Sequence, residues 1–356
     1  MRLLVIPGDG IGPEITAATL DVLSAADRRF GLGLAPSHAE AGAASLAAHG
    51  TTLLPEVLEA ARATDGVLLG PMSTFDYTEH ENPSRAFRKG LDLFANIRPA
   101  RSFPGVKAPL GAFDLVVVRE NTEGFYADRN MEAGEAEMLV TPDVVVSLRR
   151  ITRRACERIA RAAFALAETR GRRVAAVHKA NVLKRGDGMF LDACRMAASE
   201  HPGVALEEII VDAMAAHLVR SPSRFDVIVT TNMFGDILSD LTAELSGSIG
   251  LGGSLNAGEA HAMAQAAHGS APDIAGRDLA NPVSLILSAA MLLRWHGQRV
   301  APPAFGAAAA AIEAAVAEAI AAGEGTRDIA GRNGTRAAGH AIAARLREAP
   351  RGGTGA

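Results

Sequence analysis

Cysteine is nearly absent from this chain: 356 residues hold two, Cys156 and Cys194. Neither stands in a Cys-x-x-Cys pair or at a zinc-like spacing from histidine, which argues against a disulfide framework and a zinc site. Both thiols read as core, and a reducing, cytoplasmic setting is expected. Aromatic residues are scarce as well, at 4%, with one tryptophan and two tyrosines, Tyr77 and Tyr126. No charge of one sign dominates. The formal net charge is -4 with both signs interspersed, so no nucleic-acid footprint and no polybasic membrane patch is implied. Met1 to Pro7 is too short and too soon broken for a signal peptide, and no run is read as reaching the roughly 20 apolar residues of a membrane span. What the chain does have is apolar bulk, 48% of its residues, enough to bury a large core. The expected partner is a small molecule.

Short apolar runs alternate with amphipathic stretches, which predicts a largely parallel α/β sheet. Residues 3–6 read as a buried strand, and Gly8-Asp9-Gly10-Ile11-Gly12-Pro13-Glu14 reads as a turn into a helix, with Pro13 suited to the first helical turn. The glycine spacing is G-x-G-x-G rather than G-x-G-x-x-G, so a tight turn is favoured over a Rossmann fingerprint. A second strand-and-helix unit is read over 32–63 and a strand over 66–70. Helices follow from about 147 to 168, from Asn281-Pro282 to about 296, over 304–322 and after Thr335. Residues 350–356 read as a disordered tail.

Residues 81–101 concentrate Arg85, Arg88, Lys89, Arg98 and Arg101. Arg85 and Arg88 share a helix face, and Arg98 is read as following a strand. A basic run is usually a solvated surface, but the flanking Leu91, Leu93, Phe94 and Ile97 argue for burial here. Arginine binds carboxylates bidentately, so the cluster predicts a polycarboxylate ligand. The strand 114–118 ends in Arg119, with Tyr126 beyond a glycine turn. Three later strands deliver Lys179, Asp212 and Asp236 to one edge, where ligands gather in open α/β sheets. Lys179 is a candidate base; its bland alternative is an ordinary lysine at a strand end. Asp236 and Asp240, four apart on a helix read as starting near Gly235, stack on one face while Ile237, Leu238, Leu241 and Leu245 turn toward a core. A solvated helix edge is the commoner meaning of Asp-x-x-x-Asp, but two such carboxylates plus a third suit Mg2+ or Mn2+. His268-Gly269-Ser270-Ala271-Pro272-Asp273 is a turn rich in backbone amides, suited to cradling a nucleotide.

Together these stretches resemble the β-decarboxylating dehydrogenases, which act on isocitrate, 3-isopropylmalate, homoisocitrate and tartrate or malate. The resemblance runs from Gly8 to Thr335 and is carried above all by Asn232-Met233-Phe234-Gly235-Asp236-Ile237-Leu238-Ser239-Asp240 and by His268 to Asp273. It implies an isopropylmalate-dehydrogenase-like, non-Rossmann two-domain α/β fold with a mostly parallel central sheet and a small inserted arm at about 125–146. Residues 1–100 and 250–356 would form the first domain and 101–249 the second. It also implies a homodimer with shared active sites. Arg88, Arg98 and Arg119 would clamp a 3-substituted malate, and Asp236 and Asp240 would bind Mg2+ or Mn2+ with Asp212 of the other subunit. Tyr126 and the second subunit's Lys179 would be the acid–base pair.

The implied cofactor is NAD, bound through Ile11, Glu81, His268, Gly269, Ser270, Ala271, Asp273, Ile274 and Asn281. Asp273 would accept from the adenosine ribose hydroxyls and repel the 2′-phosphate of NADP. For the substrate, isopropylmalate enzymes place leucines at the positions of Ser84 and Arg85, and a buried arginine fits an isopropyl group poorly. Arg85 matches an arginine of some homoisocitrate dehydrogenases, and Glu120-Asn121-Thr122-Glu123-Gly124 looks like the isocitrate, homoisocitrate and tartrate branches. Glu81 points instead to isopropylmalate. A homoisocitrate or isocitrate type of substrate is therefore favoured, with 3-isopropylmalate and tartrate or D-malate as alternatives. A non-catalytic regulatory subunit is the rival from another class, disfavoured because the catalytic set is complete.

Overall fold

The computed structural model describes residues 1–126, 136–300 and 303–348. Among them the chain runs β1 (Arg2–Ile6), α1 (Gly12–Phe30), β2 (Ala35–His38), α2 (Ala43–His49), α3 (Pro55–Ala63), β3 (Gly66–Leu69), α4 (Pro83–Gly90), β4 (Ala95–Arg101) and β5 (Asp114–Glu120). A hairpin of β6 (Glu137–Thr141) and β7 (Val144–Ser147) follows, then α5 (Arg153–Glu168), β8 (Arg173–His178), α6 (Lys184–Glu200), β9 (Ala205–Ile210), α7 (Val211–Arg220), β10 (Val227–Thr230) and α8 (Asn232–Leu245). The last elements are β11 (Leu255–Ala257), β12 (Ala262–Gln265), α9 (Val283–Val300), α10 (Pro303–Ala321) and α11 (Thr335–Glu348).

Ten strands form one sheet in the order β2-β1-β3-β12-β11-β4-β5-β10-β8-β9. Only the pairs β12–β11, β11–β4 and β4–β5 in it are antiparallel. The expected parallel α/β layering follows from burial on both faces: every residue of β3, β10 and β12 is buried, which is what a covered parallel strand requires. On one face, α1, α9, α10 and α11 pack Ile15, Leu285, Ile312 and Ile342 over one half of the sheet. Helices α5 and α6 cover Val116, Val118, Val174 and Val229 of the other half with Ile159 and Phe190. On the opposite face, Val57 and Phe87 lie over Leu4 and Ile6, while Met214 and Leu238 lie over Leu115, Val117 and Ile228.

Several boundaries differ from the sequence reading. The helix expected from about 147 begins at Arg153: Ser147 pairs with Glu137 of β6 instead, and Thr152 caps the helix, accepting from the Ala155 amide at 3.3 Å. Helix α8 starts three residues before Gly235, and Arg98 lies inside β4 rather than after it. Ile237 does not turn to the core; it is exposed, and Leu238 and Leu245 carry the packing. Helix α10 is long and apolar enough to cross a membrane, contrary to the reading that no run is. Its Phe305, Ala308, Ile312 and Val316 are instead packed in the core. Both cysteines are buried and unpaired, and burial pushes the Cys156 thiol up to about 12 and the Cys194 thiol upward. The β6–β7 hairpin is the described part of the predicted arm; arm residues 127–135 and the tail 350–356 lie outside the described residues.

Candidate active site

Pleating aims the arginines. In β4 the side chains alternate faces, so Asn96 and Arg98 turn toward α8 while Ile97, Pro99 and Arg101 turn away. Across the antiparallel register Asn96 faces Arg119 of β5, which also turns toward α8. Arg119 is 2% exposed and donates twice to Asn232 Oδ1, at 3.0 and 2.7 Å, besides pairing with Asp236 Oδ1. Arg98 donates to Asn96 Oδ1 and Ser239 Oγ, each at 2.7 Å, and to Asp240 Oδ1 at 2.9 Å, with Asp236 Oδ1 at 3.7 Å. The Tyr126 hydroxyl donates to Asp236 Oδ2 at 3.1 Å, and the Arg119 guanidinium lies 5.8 Å from its ring centre. The structure thus gathers Arg98, Arg119, Tyr126, Asp236 and Asp240. Gly235 makes this possible: a Cβ there would stand 2.6 Å from Arg119 Cβ and Cγ.

The two carboxylates titrate in opposite directions. Burial works to raise Asp236, but Arg119, Arg98, the Tyr126 hydroxyl and Arg88 outweigh it and hold the carboxyl below its ordinary value. For Asp240 burial wins; Arg98 opposes it, the charge of Asp236 adds to it, and the carboxyl is raised. The donor set is all oxygen and partly open to solvent, which fits a hard divalent cation. Asp212 is not part of it within this chain. Among the described residues no three His, Cys, Asp or Glu side chains stand close enough to hold a metal together. Asp212 pairs with Lys179 instead, and that hydrogen bond lowers its carboxyl. The Lys179 amide donates to fully buried Asp187 at 2.5 Å, and Asp187 is also bonded to Arg149 at 2.6 Å. The predicted set therefore falls into two clusters on one chain.

Around α4, Asn82 caps the helix by accepting from the Arg85 amide at 3.3 Å. Ser84 is buried and accepts from Gln265 at 2.9 Å, and Gln265 in turn accepts from Arg88 at 3.2 Å, so Ser84 acts on Arg88 through Gln265. Arg85 and exposed Glu81 line a cavity of about 470 Å³ with Thr74, Tyr77 and His80. Arg101, grouped with the cluster by sequence, is turned to the opposite face of the sheet. Glu120 accepts from the Thr122 and Glu123 amides at 2.8 and 3.0 Å, and Glu123 accepts from the Thr152 amide at 2.7 Å. That buried segment fixes its own turn.

The loop expected to hold the nucleotide is tied to the first turn. The Ile11 amide donates to the Ser270 carbonyl at 2.8 Å, and a Cβ on Gly10 would come within 2.0 Å of that oxygen. His268 bonds the Gly269 carbonyl at 3.0 Å, and burial lowers its imidazole. Gly269 and Asp273 are exposed, Ala271 is left-handed at φ 38°, and Ile274 closes a single 3-10 turn. Asn281 donates to Asp328 at 2.9 Å. An exposed carboxylate on a tight loop suits ribose hydroxyls. Behind the loop, buried Asp9 accepts from the Ala43 and Ser73 amides and the Tyr77 hydroxyl, each at 2.8 Å, and Ser73 donates to Ser270 Oγ at 2.7 Å. The sequence reading missed Asp9, Tyr77, Asn96 and Gln265; only Asn96, two residues before Arg98 in a strand, left a local signal.

Residues 2–342 match the family model for isocitrate/isopropylmalate dehydrogenase. The chain is 43% identical over 331 residues to 3-isopropylmalate dehydrogenase of Archaeoglobus fulgidus, covering 93% of this chain and 94% of that one. It is also 43% identical to isocitrate dehydrogenase [NAD] catalytic subunit 5 of Arabidopsis thaliana, over 82% and 75% of the two. The crystal structure of isocitrate dehydrogenase from Methylococcus capsulatus superposes with a TM-score of 0.88 at 39% identity, covering 98% of this chain and 99% of that one. The chain belongs to the isocitrate/isopropylmalate dehydrogenase family of decarboxylating hydroxyacid dehydrogenases, which use NAD and Mg2+ or Mn2+.

Proposed function

We propose that the chain oxidatively decarboxylates 3-isopropylmalate, the malate being clamped by Arg88, Arg98 and Arg119. The 3-isopropylmalate dehydrogenase of A. fulgidus, similar over nearly both full lengths, supports this over the tricarboxylate favoured from sequence. The Glu120–Gly124 segment, engaged in its own turn, carries little weight for substrate choice. An isocitrate or homoisocitrate substrate is the second reading, supported by a cationic residue where an isopropyl group would be expected to meet leucine.

The bound groups supply a hydride acceptor and a Lewis acid. In the proposed roles Asp236 and Asp240, with Asp212 of a second subunit, hold the divalent ion, and the arginines orient the two malate carboxylates. Lys179 of the second subunit takes the proton from the 2-hydroxyl, and Tyr126 delivers one to carbon 3 after carbon dioxide leaves. Ile11, Glu81, His268–Ala271, Asp273, Ile274 and Asn281 are proposed to receive NAD. The division between residues 1–100 with 250–356 and residues 101–249 is proposed as the two lobes flanking this cleft, although residue 100 lies within β4.

The homodimer rests on an exposed apolar hairpin. Leu139, Val140 and Val145 are 70%, 58% and 58% exposed, and an isolated hairpin is marginal in water, so a second copy is the fitting cover. Two unpaired buried thiols agree with a cytoplasmic placement. Substrate choice is tested by ranking kcat/KM for 3-isopropylmalate, homoisocitrate, isocitrate, tartrate and D-malate with NAD and Mn2+. 3-Isopropylmalate should lead by at least tenfold; a lead for either tricarboxylate would overturn the assignment and favour Arg85 as selector.

A further inference from the structure

The face of the sheet turned away from Arg98 holds a cavity of about 290 Å³ where the two halves of the core meet. Its floor is β4, through Ile97, Pro99 and Arg101, and its wall is one face of α9, through Leu287, Met291, Arg294, Trp295 and Gln298. At roughly 30 Å³ per water the space would take about ten waters, enough for a small organic molecule.

The charges around it do not balance. Arg170 is paired with Asp114 and Asp226, and Arg294 holds Glu313 through two bonds of 2.7 and 3.0 Å. Arg101 has no carboxylate within ion-pairing distance among the described residues; its guanidinium lies 4.8 Å from the centre of the Phe103 ring. Trp295 also lines the cavity and is 7% exposed, its ring rather than its buried N–H facing the space. Arg299 covers that ring at 3.8 Å from its centre. A cation outside ion-pairing range of the described carboxylates, beside apolar walls, defines a complementary ligand: one negative oxygen group on an aliphatic body. A second negative charge would meet Asp114 and Glu313.

We propose that this cavity is a second binding site, for a small monocarboxylate with an aliphatic tail, its carboxylate on Arg101 and its tail against Leu251, Leu287 and Met291. The site is separate from the clamp for malate, since β4 presents Arg98 and Arg101 on opposite faces. A ligand there touches Leu251 and Trp295 of one core half and Val116 and Leu166 of the other, so occupancy joins the two.

Trp295 is the only tryptophan in the chain, which makes it the reporter. The test is a titration of the full-length protein with 4-methylpentanoate, without malate, NAD or metal, followed by indole emission and by calorimetry. The expected result is saturable binding that Arg101→Gln weakens at least tenfold, that Met291→Phe weakens by filling the space, and that 4-methylpentan-1-ol does not reproduce. The proposal is overturned by unchanged affinity in a folded Arg101→Gln protein, which would place the probe on the active-site arginines. Equal binding of the alcohol, or silence in both emission and heat, overturns it too. Should Arg101→Gln fail to fold, unchanged affinity in Met291→Phe would be decisive in the same sense. None of these readouts depends on which substrate the enzyme oxidises.

Discussion

Arg98 spans two carboxylates whose proton affinities have been moved apart, Asp236 down and Asp240 up. A carboxyl whose pKa is lower in the folded chain adds stability that is complete above the unfolded value, about 3.9, and is lost as pH falls through the lower folded value. Asp236→Asn lacks that contribution at every pH. In urea unfolding of chelator-treated protein, wild type should therefore exceed the variant at pH 7, and the gap should close below about pH 4; a gap that widens toward acid would show that the arginines do not stabilise Asp236. The carboxylates and arginines themselves were legible because strand ends and helical spacing announce them. Their orienting partners were not: Gln265 lies 177 residues from Arg88 and Asn232 lies 113 from Arg119, and no local pattern encodes such distances.

At the scale of the element, Gly235 is a helix-interior glycine that propensity alone would replace with alanine for a gain of about 1 kcal/mol. The close approach of α8 to β5 reverses that, since the new methyl would also stand 3.2 Å from Arg119 Cα, where the backbone cannot yield cheaply. Gly235→Ala should cost about 1–3 kcal/mol of stability, as overpacking does, and lower kcat/KM by a larger factor because Asp236 is the next residue. Urea midpoints and initial rates measure both; a stabilised, fully active variant would contradict the packing described. Element types were readable from their periods, but their starts were less so. Thr231 makes no side-chain cap bond, so nothing marked the true beginning of α8. Ser147, read as the start of a helix, is decided only by its pairing with Glu137 of β6. Pro99, inside β4, hid the alternation that separates Arg98 from Arg101.

For the whole molecule, the proposed dimer makes the split between the Asp236 cluster and the Lys179–Asp212 pair meaningful. Leu139→Glu with Val145→Glu places charge on both strands of the exposed hairpin while touching neither cluster. Sedimentation should then show a folded monomer, by unchanged far-ultraviolet circular dichroism, with turnover reduced at least a hundredfold; a fully active monomer would exclude shared sites. The family, and with it the layered α/β architecture, could be read from motifs in order along the chain. The strand order could not, because the pairing of β11 with β4 and of β12 with β3 joins segments far apart in sequence. That order also sets a schedule for synthesis. Strands β4, β5, β8, β9 and β10 are all complete by Thr230, and they adjoin one another. The link from them to β1, β2 and β3 runs through β11 and β12, so a nascent chain holds two separate sheet fragments until Gln265 has left the ribosome.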